Sequence, residues 1–241
     1  MSFSSIALLA TTAFLRIFWK EIAEANSNKN TQKMEYLYTR FSRILYFISA
    51  TLACSMIFWT EELVTILLGE NYIPGHTTLL ILFFIPLHQS LIQIQSSFLY
   101  ATESSKLLSV TASIMSLLGL IFAYFIMAPK NAYIPGLEMG ANGLAIKMIV
   151  FQIIIANILN YLISRKMSWK FECSHQAITI LVCLLIACFS SYFSRFMTDT
   201  MLFGLLINFV FYFIAIGVII ILIPSLIGLS KKEFRDYFKS S

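Results

Sequence analysis

Charged residues are scarce in this chain. Only 12% of its 241 residues are Asp, Glu, Lys or Arg, whereas soluble domains carry about 25%. Hydrophobic residues make up 59% of the sequence, the mean hydropathy is +0.81, and the apolar residues come in long runs rather than in alternating patterns. Seven such runs would leave a soluble helical protein with too little polar surface to face water. The scarcity of charge therefore argues against a soluble domain and indicates an all-α integral membrane protein.

Motifs of several enzyme classes are also lacking. The sequence has no HExxH metalloprotease motif, no GxSxG nucleophile elbow and no phosphate-binding P-loop. Its cysteines form no CxxC pair and no Cys/His spacing that suits a metal, and they are interpreted as small packing residues. The four cysteines are Cys54, Cys173, Cys183 and Cys188. We therefore expect no catalytic residue, no metal and no cofactor, and a protein that is not an enzyme.

Seven apolar runs are long enough to be transmembrane helices. A hydrocarbon core about 30 Å thick requires roughly 20 mostly apolar residues at helical rise. The predicted spans cover residues 3–19, 44–59, 77–101, 107–127, 143–163, 177–196 and 202–229. The second run is short for a crossing, so we expect it to extend towards Phe41 and Leu63. Residues 1–229 are thus predicted to form a single transmembrane domain, and residues 230–241 a cytoplasmic tail.

Lysine and arginine fall almost entirely on alternate connections between these spans. Thirteen of the 17 basic residues lie on one side, two lie on the other, and Arg16 and Lys147 lie within spans. The thirteen are found in residues 20–43, 102–106, 164–176 and 230–241. Since basic connections stay in the cytoplasm, the C-terminus is predicted to be cytoplasmic and the N-terminus external. The net charge of +5 is explained by contact with membrane lipids, and no nucleic-acid partner is expected.

The third span carries a stripe of polar side chains. Gln89, Gln93, Ser96 and Tyr100 recur at near-helical spacing and so fall on one face of a helix. Pro86, on nearly the same face, predicts a bend. Polar side chains are costly against lipid, so the stripe is expected to face protein or water. Two interpretations stay open: hydrogen bonds between helices, or the wall of a polar cavity.

The fourth and fifth spans also contain polar residues. Serines at near-helical spacing in the fourth span favour close packing of helices there. These serines are Ser105, Ser109, Ser113 and Ser116. The fifth span carries Lys147, Asn157 and Asn160. Lys147 lies near the outer end, where its ammonium group either reaches the interface or faces an internal cavity, and Arg16, near the inner end of the first span, leaves the same two alternatives.

Several short motifs occur in an order that is similar to a known family. The first two motifs are turns: a Leu-Gly-x-x-Tyr turn at Leu68, Gly69 and Tyr72, and a turn with a small residue and a charged pair at Ala101, Glu103 and Lys106. The third is a Gly-x-x-Gly-x-Ala helix start at Gly140, Gly143 and Ala145. The fourth is a Trp-containing segment that ends in Glu-Ala, at Trp19, Glu24 and Ala25. In these motifs the chain resembles the C-terminal half of Wzx-type oligosaccharide-lipid flippases, in the multidrug/oligosaccharidyl-lipid/polysaccharide exporter superfamily. It departs from that family after Ala25, where Asn26-Ser27 replaces the usual Gly-Asp.

The resemblance implies a fold of two helical lobes around a central cavity that opens alternately to each side of the membrane. This chain would supply the C-terminal lobe, less its first helix, together with two terminal helices. It would then need an N-terminal lobe or a second copy to complete the cavity. Members often have fourteen spans with both ends in the cytoplasm, which agrees with the orientation predicted from charge.

The implied substrate is an oligosaccharide linked to undecaprenyl pyrophosphate. The protein would move it across the cytoplasmic (inner) membrane for the synthesis of surface polysaccharide, lipopolysaccharide or O-antigen. A cation in a low-dielectric cavity would attract the pyrophosphate, and amides would bind sugar hydroxyls. The candidate substrate contacts are Arg16, Gln89, Gln93, Lys147, Asn157 and Asn160. Three alternatives stay open: another exporter of the superfamily, a membrane polysaccharide polymerase or acyltransferase, and a structural membrane subunit without a transport path.

Overall fold

The described part of the chain is mostly helical, apart from short turns and the connection at residues 128–139. The computed structural model describes residues 3–170, 174–198, 200–229 and 233, with side chains from residue 14 onwards. The α-helices are α1 (Phe3–Ser27), α2 (Thr31–Ile57), α3 (Thr60–Leu68), α4 (His76–Leu82), α5 (Ile85–Ala101), α6 (Ser105–Met127), α7 (Gly140–Met167), α8 (Ser174–Met197) and α9 (Met201–Leu222). Short 3₁₀ helices, Glu70–Gly75 and Pro224–Ile227, follow α3 and α9. No strand occurs in these described ranges, which agrees with the all-α prediction.

Five of the predicted spans correspond to helical segments that are long and apolar enough to cross a membrane. They are α6, α7, α8, α9 and the segment Glu70–Ala101, which joins a 3₁₀ helix to α4 and α5. A sixth is obtained if α2 and α3, which are bent by 79° at a short break, count as one span. The predicted first span, residues 3–19, lies in α1, but most of its side chains are outside the described part of the chain. The described residues thus indicate a multi-pass membrane protein and support five or six of the crossings.

The basic stretch at residues 20–43 is helical rather than an open connection. Because α1 continues to Ser27 and α2 already begins at Thr31, only the three residues 28–30 form a turn between the two helices. Asn30 caps α2, and its side-chain oxygen accepts a hydrogen bond from the Lys33 backbone N–H over 2.9 Å. The Lys33 ammonium lies 2.9 Å from the Glu21 carboxylate, and this hydrogen bond raises the pKa of Lys33. The ion pair links α1 to α2.

Prolines mark two places where helices end. The last span was predicted to reach residue 229, but α9 stops at Leu222. Pro224 has no N–H to continue the helix and disfavours α geometry in the residue before it, and Ile223 accordingly takes φ −130° and ψ 70°. The helix is interrupted at residues 83–84, just before Ile85 and Pro86, close to the point where the sequence predicted a bend.

Helix α5 lies at the centre of the bundle. It packs against α1, α2 and α7, while α8 and α9 pack against each other and against α2. One cluster of buried side chains includes Tyr46, Leu87 and Tyr212 and joins α2, α5 and α9. A second cluster includes Phe18 and Phe98 and joins α1 to α5. Between them these clusters hold α5 on several sides and fix its rotation in the bundle.

Each end of the bundle is held by a contact between helix termini. At one end, the Lys166 ammonium donates a hydrogen bond to the Ser104 hydroxyl, which joins α7 to the turn before α6. At the other end, the Thr78 hydroxyl donates to Asn142, which joins α4 to α7. We call the first the basic end, because it carries Lys33, Arg43, Lys106, Lys166 and Lys170. The predicted cytoplasmic connections at residues 20–43, 102–106 and 164–170 therefore share one end of the bundle in space, whereas the predicted tail, residues 230–241, lies outside the described residues except for residue 233.

Candidate functional site

A polar cleft opens at the basic end between α2, α5, α7 and the beginning of α8. Its volume is about 140 Å³. The lining combines charged groups, amides, hydroxyls and aromatic rings. The lining residues are Glu35, Tyr38, Thr39, Ser42, Arg43, Tyr46, Leu91, Gln95, Asn160, Ser164, Trp169, Lys170, His175 and Gln176. Polar groups that converge in a pocket between helices are typical of a ligand site.

Helical periodicity brings these residues to a common wall. On α2, Tyr38, Ser42 and Tyr46 recur every four residues and so lie one above another on one face. On α7, Asn160 and Ser164 follow the same spacing. The buried clusters hold these helices together. The cleft therefore presents its polar groups from fixed helix faces rather than from loops.

Two hydrogen bonds order the interior of the cleft. The Tyr38 hydroxyl donates to Asn160 Oδ1 over 2.9 Å, and Gln95 Nε2 donates to the carbonyl oxygen of Ala156 over 2.8 Å. Gln95 is only 2% exposed, and its Oε1 is buried without a hydrogen-bond partner among the described residues. A buried acceptor in that state costs about 1–3 kcal/mol. Gln95 Oε1 is thus a buried acceptor behind the cleft wall.

Three aromatic rings close one side of the cleft. The ring centroids of Tyr38 and Phe98 are 5.2 Å apart, and those of Phe98 and Trp169 are 5.5 Å apart, both with edge-to-face geometry. The Tyr38 and Trp169 centroids are 5.8 Å apart. Edge-to-face contacts of this kind are favourable beyond the apolar area that they bury. They hold Trp169 as a fixed apolar wall beside the polar groups.

Charged residues stand at the mouth of the cleft. Arg43 and Glu35 come from α2, and Lys170 follows α7. His175, at the beginning of α8, is held by its Nε2, which donates to the carbonyl oxygen of Leu226 over 3.0 Å. The described lining therefore carries charges of both signs beside its neutral polar groups.

Of the six predicted substrate contacts, Asn160 alone lines this cleft. Gln89 is exposed and Gln93 is half-buried, on the side of α5 away from the buried Gln95. Ser96, in the same stripe, bonds within its own helix, because its hydroxyl donates to the Ile92 carbonyl oxygen over 2.7 Å. The predicted stripe therefore lies on the outside of this bundle. Among the described residues it forms none of the hydrogen bonds between helices that were one of the two interpretations.

The other predicted contacts are dispersed. Lys147 is half-buried between α7 and α6, with its ammonium nitrogen 5.3 Å from the ring centroid of Phe151. Arg16 is exposed on α1. Asn157 is half-buried, and its Nδ2 donates to the Ile153 carbonyl oxygen of its own helix over 2.9 Å. Their role as substrate contacts stays a prediction.

The serine row of α6 is exposed rather than packed. Ser105, Ser109, Ser113 and Ser116 all lie on the surface of the bundle. Helix α6 instead buries Thr111, Met115 and Gly119, and its main packing partner is α7. The prediction of a serine packing face is therefore wrong within this chain. Two neighbouring helices, α5 and α6, each carry an exposed polar row.

Sequence reasoning missed most of the cleft. Arg43 and Lys170 were interpreted only as orientation signals in loops, and Gln95 was not among the predicted contacts. A signal was present, because Glu35, Thr39 and Arg43 recur every four residues and would share a face if this stretch were helical. It was overlooked because the stretch was expected to be an irregular connection.

Metal binding finds no support in the described geometry. No group of three His, Cys, Asp or Glu side chains that could hold a metal ion occurs in the part of the chain that the structure describes. Comparison with known proteins gives no assignment either, since no family model, no curated protein and no solved structure matches this chain. The resemblance to oligosaccharide-lipid flippases stays a prediction from sequence motifs. Any functional proposal therefore depends on the residues themselves.

Proposed function

We propose that this chain forms one lobe of a transporter that moves a lipid-linked oligosaccharide across the cytoplasmic membrane. The observation that carries the proposal is the outward polar surface of α5, which lies within a segment long and apolar enough to cross a membrane. Gln89 and Tyr100 are exposed there, and Gln93 is partly exposed. Amides and a phenolic hydroxyl both donate and accept hydrogen bonds, which suits the hydroxyl groups of a sugar.

This surface would be unfavourable against lipid tails. Moving one amide from water into hydrocarbon without a hydrogen bond costs about 4–8 kcal/mol. Polar side chains within membrane segments accordingly face protein or a water-filled cavity. A path between this lobe and an N-terminal lobe, or a second copy, would satisfy the amides of Gln89 and Gln93. The same path would give the sugar a polar route through the membrane.

In the proposed mechanism no covalent bond changes, and the path opens alternately to each side. Lys147 and Arg16 are the proposed contacts for the pyrophosphate of the substrate, and Asn157 is proposed to bind sugar hydroxyls. Asn160 lines the separate cleft at the basic end and is not placed on this path. The half-buried position of Lys147 favours a role in charge attraction, because a cation acts more strongly where water is partly excluded.

Labelling of introduced cysteines tests for the path. In intact membranes a water-soluble maleimide is expected to label Gln89→Cys and Gln93→Cys. It is expected to spare Leu120→Cys, which replaces an exposed apolar residue of α6, and Ile94→Cys, which replaces a fully buried residue of α5. Protection of positions 89 and 93 to the same degree as position 120 would reject a water-filled path. That result would favour the second candidate, a structural subunit whose α5 surface packs against a partner.

Transport itself is tested by charge reversal. Lys147→Glu is expected to reduce the amount of oligosaccharide that reaches the outer face of cells much more than it reduces the amount of protein in the membrane. Lys106→Glu, at an exposed position in the turn before α6, is the matched control and is expected to transport normally. A monomer of this chain in vesicles is expected not to move the substrate, so turnover by monomers would contradict the one-lobe proposal.

A further inference from the structure

Helix α3 leaves the bundle at the end opposite the basic end. Helix α2 starts at the basic end, and α3 is turned from it by 79° after a short break. Arg195, near the end of α8, donates to the Phe58 carbonyl oxygen in this break over 2.9 Å. A Cβ on Gly204, near the start of α9, would lie 2.7 Å from the ring of Trp59 in the same break. The bend is therefore level with the turn that joins α8 to α9.

That level marks a surface of the membrane. Both α8 and α9 are long and apolar enough to cross a bilayer, and the turn between two crossing helices lies at the membrane surface. Because α2 ends at this level and α3 is turned from it by 79°, α3 begins at the surface and runs nearly parallel to it.

Helix α3 is also amphipathic. At 100° per residue, its acidic and hydroxyl side chains after Thr60 fall on an arc about 100° wide, and its aliphatic side chains fall on an opposite arc about 200° wide. The polar arc holds Glu61, Glu62 and Thr65, and the apolar arc holds Leu63, Val64, Ile66, Leu67 and Leu68. Of the apolar arc, Val64 is buried in the bundle. A helix with faces divided in this way lies in the plane of a membrane interface.

The apolar arc is largely uncovered, and the patch continues into the 3₁₀ helix that follows. Leu67 is 73% exposed, Leu68 is 59% exposed and Tyr72 is 60% exposed. An exposed apolar patch marks a contact with another protein or with lipid. The position of α3 at the membrane surface favours lipid. Tyrosine is enriched at that depth, because its ring is apolar and its hydroxyl is polar.

We propose that residues 60–75 form an interfacial anchor, whose apolar arc and Tyr72 insert among the lipid headgroups of the leaflet opposite the basic end. The polar arc faces water, and the Glu62 carboxylate stays 2.8 Å from the guanidinium of Arg195. Helix α2 then crosses the membrane without α3, and the two are not one bent span. The anchor goes beyond the proposed transport, because it binds the bilayer and not the oligosaccharide.

The depth of single fluorophores in the bilayer tests the anchor. The full chain, in phosphatidylcholine nanodiscs, carries one thiol-linked fluorophore at Leu67→Cys or at Tyr72→Cys. We expect a quencher attached to the lipid headgroup to act more strongly at these positions than a quencher near the end of the acyl chain. Leu185→Cys, at an exposed position in the middle of α8, is the matched control and is expected to show the reverse ratio.

The native cysteines are treated according to their exposure. Cys54 and Cys183 are fully buried and are kept. Cys173 and Cys188 are replaced by alanine, and the chain without an introduced cysteine serves as the blank.

Two polar positions give the aqueous limit. Glu61→Cys, on the polar arc of α3, and Lys29→Cys, in the turn at the basic end, replace exposed residues. Iodide in the water is expected to quench a fluorophore at either position more strongly than one at Leu67→Cys. Equal quenching by iodide at positions 61 and 67 would show that α3 stands in water, which overturns the proposal.

Two other results would also overturn it. Stronger quenching from the end of the acyl chain at position 67 would show that α3 continues the crossing of α2 as one bent span. Protection of position 67 from every quencher would show that a protein partner, such as a second copy, covers the patch. The measurement involves no oligosaccharide, so its failure is distinct from a failure of the charge-reversal test at Lys147.

Discussion

The guanidinium of Arg195 lies 2.8 Å from a carboxylate oxygen of Glu62. The same side chain donates to the carbonyl oxygen of Phe58 over 2.9 Å and stands 5.1 Å from the ring centroid of Trp59. These contacts join the end of α8 to the break where α2 and α3 turn by 79°. Arg195 therefore holds the bend from outside, through three kinds of contact with residues more than 130 positions earlier in the sequence.

Replacing Arg195 should loosen that bend. Arg195→Ala is expected to destabilise the protein by about 1 kcal/mol, a modest amount because its side chain is about half exposed to solvent. Arg195→Lys should recover only part of the loss, since an ammonium cannot make the same planar contact with Trp59. The measurement is the midpoint of unfolding in a detergent titration. Full stability of Arg195→Ala would show that the bend is held by packing alone.

Gly119 leaves room for the Lys147 ammonium between α6 and α7. A Cβ at position 119 would lie 3.3 Å from Lys147 Nζ, so Gly119→Val is expected to displace this cation and to weaken the contact between the helices. Combining it with Lys147→Ala should restore part of the stability, because the displaced side chain is then absent. Gly217→Val is the control, as nothing lies within 4 Å of a Cβ there. Additive losses in the double variant would argue against the contact.

Asn208 links three helices through buried hydrogen bonds. Its side-chain oxygen accepts from the Ser190 hydroxyl over 3.0 Å, and its Nδ2 donates to the Ser55 carbonyl oxygen over 3.4 Å. Asn208→Leu is expected to cost about 1–2 kcal/mol of unfolding free energy, measured by the same detergent titration. Ser113→Ala, at an exposed position of α6, should be neutral. Equal stability of the two variants would contradict a structural role for Asn208.

The two ends of the bundle should face opposite sides of the membrane. Single cysteines at Lys29, in the turn between α1 and α2, and at Asn71, after α3, are both exposed to solvent. In sealed right-side-out vesicles, an impermeant reagent is expected to label Asn71→Cys directly and Lys29→Cys only after the membrane is opened. Labelling of both from one side would overturn the orientation predicted from charge.

The fold class and most of the helices were predictable, because the hydropathy of a long apolar run indicates that it lies in lipid rather than in water. The rotation of each helix was not. Gln93 and Gln95 lie on opposite sides of α5, and the sequence favoured Gln93, yet Gln95 is the buried one. In a membrane, apolar side chains face lipid and protein alike, so periodicity does not tell which polar face meets the bundle.

The cleft could not be predicted from the sequence for a related reason. Charged turns of a helix and charged loops have the same composition, so Arg43 was placed in a connection although it lies on α2. Only the tertiary arrangement brings it near Asn160 of α7 and Lys170 beyond it. Contacts between residues so far apart in the sequence cannot be inferred from one chain without related sequences.

The length of α2 has a mechanical consequence. Its 27 residues span about 40 Å at 1.5 Å per residue, about 10 Å more than the hydrocarbon thickness of a bilayer. The extra length is the charged first half of the helix, which carries Lys33, Glu35, Arg40 and Arg43 and extends beyond the hydrocarbon core. Because Arg43 lies on the same rigid helix as the apolar residues 44–57, the depth at which those residues settle in the lipid also sets the height of the cleft mouth.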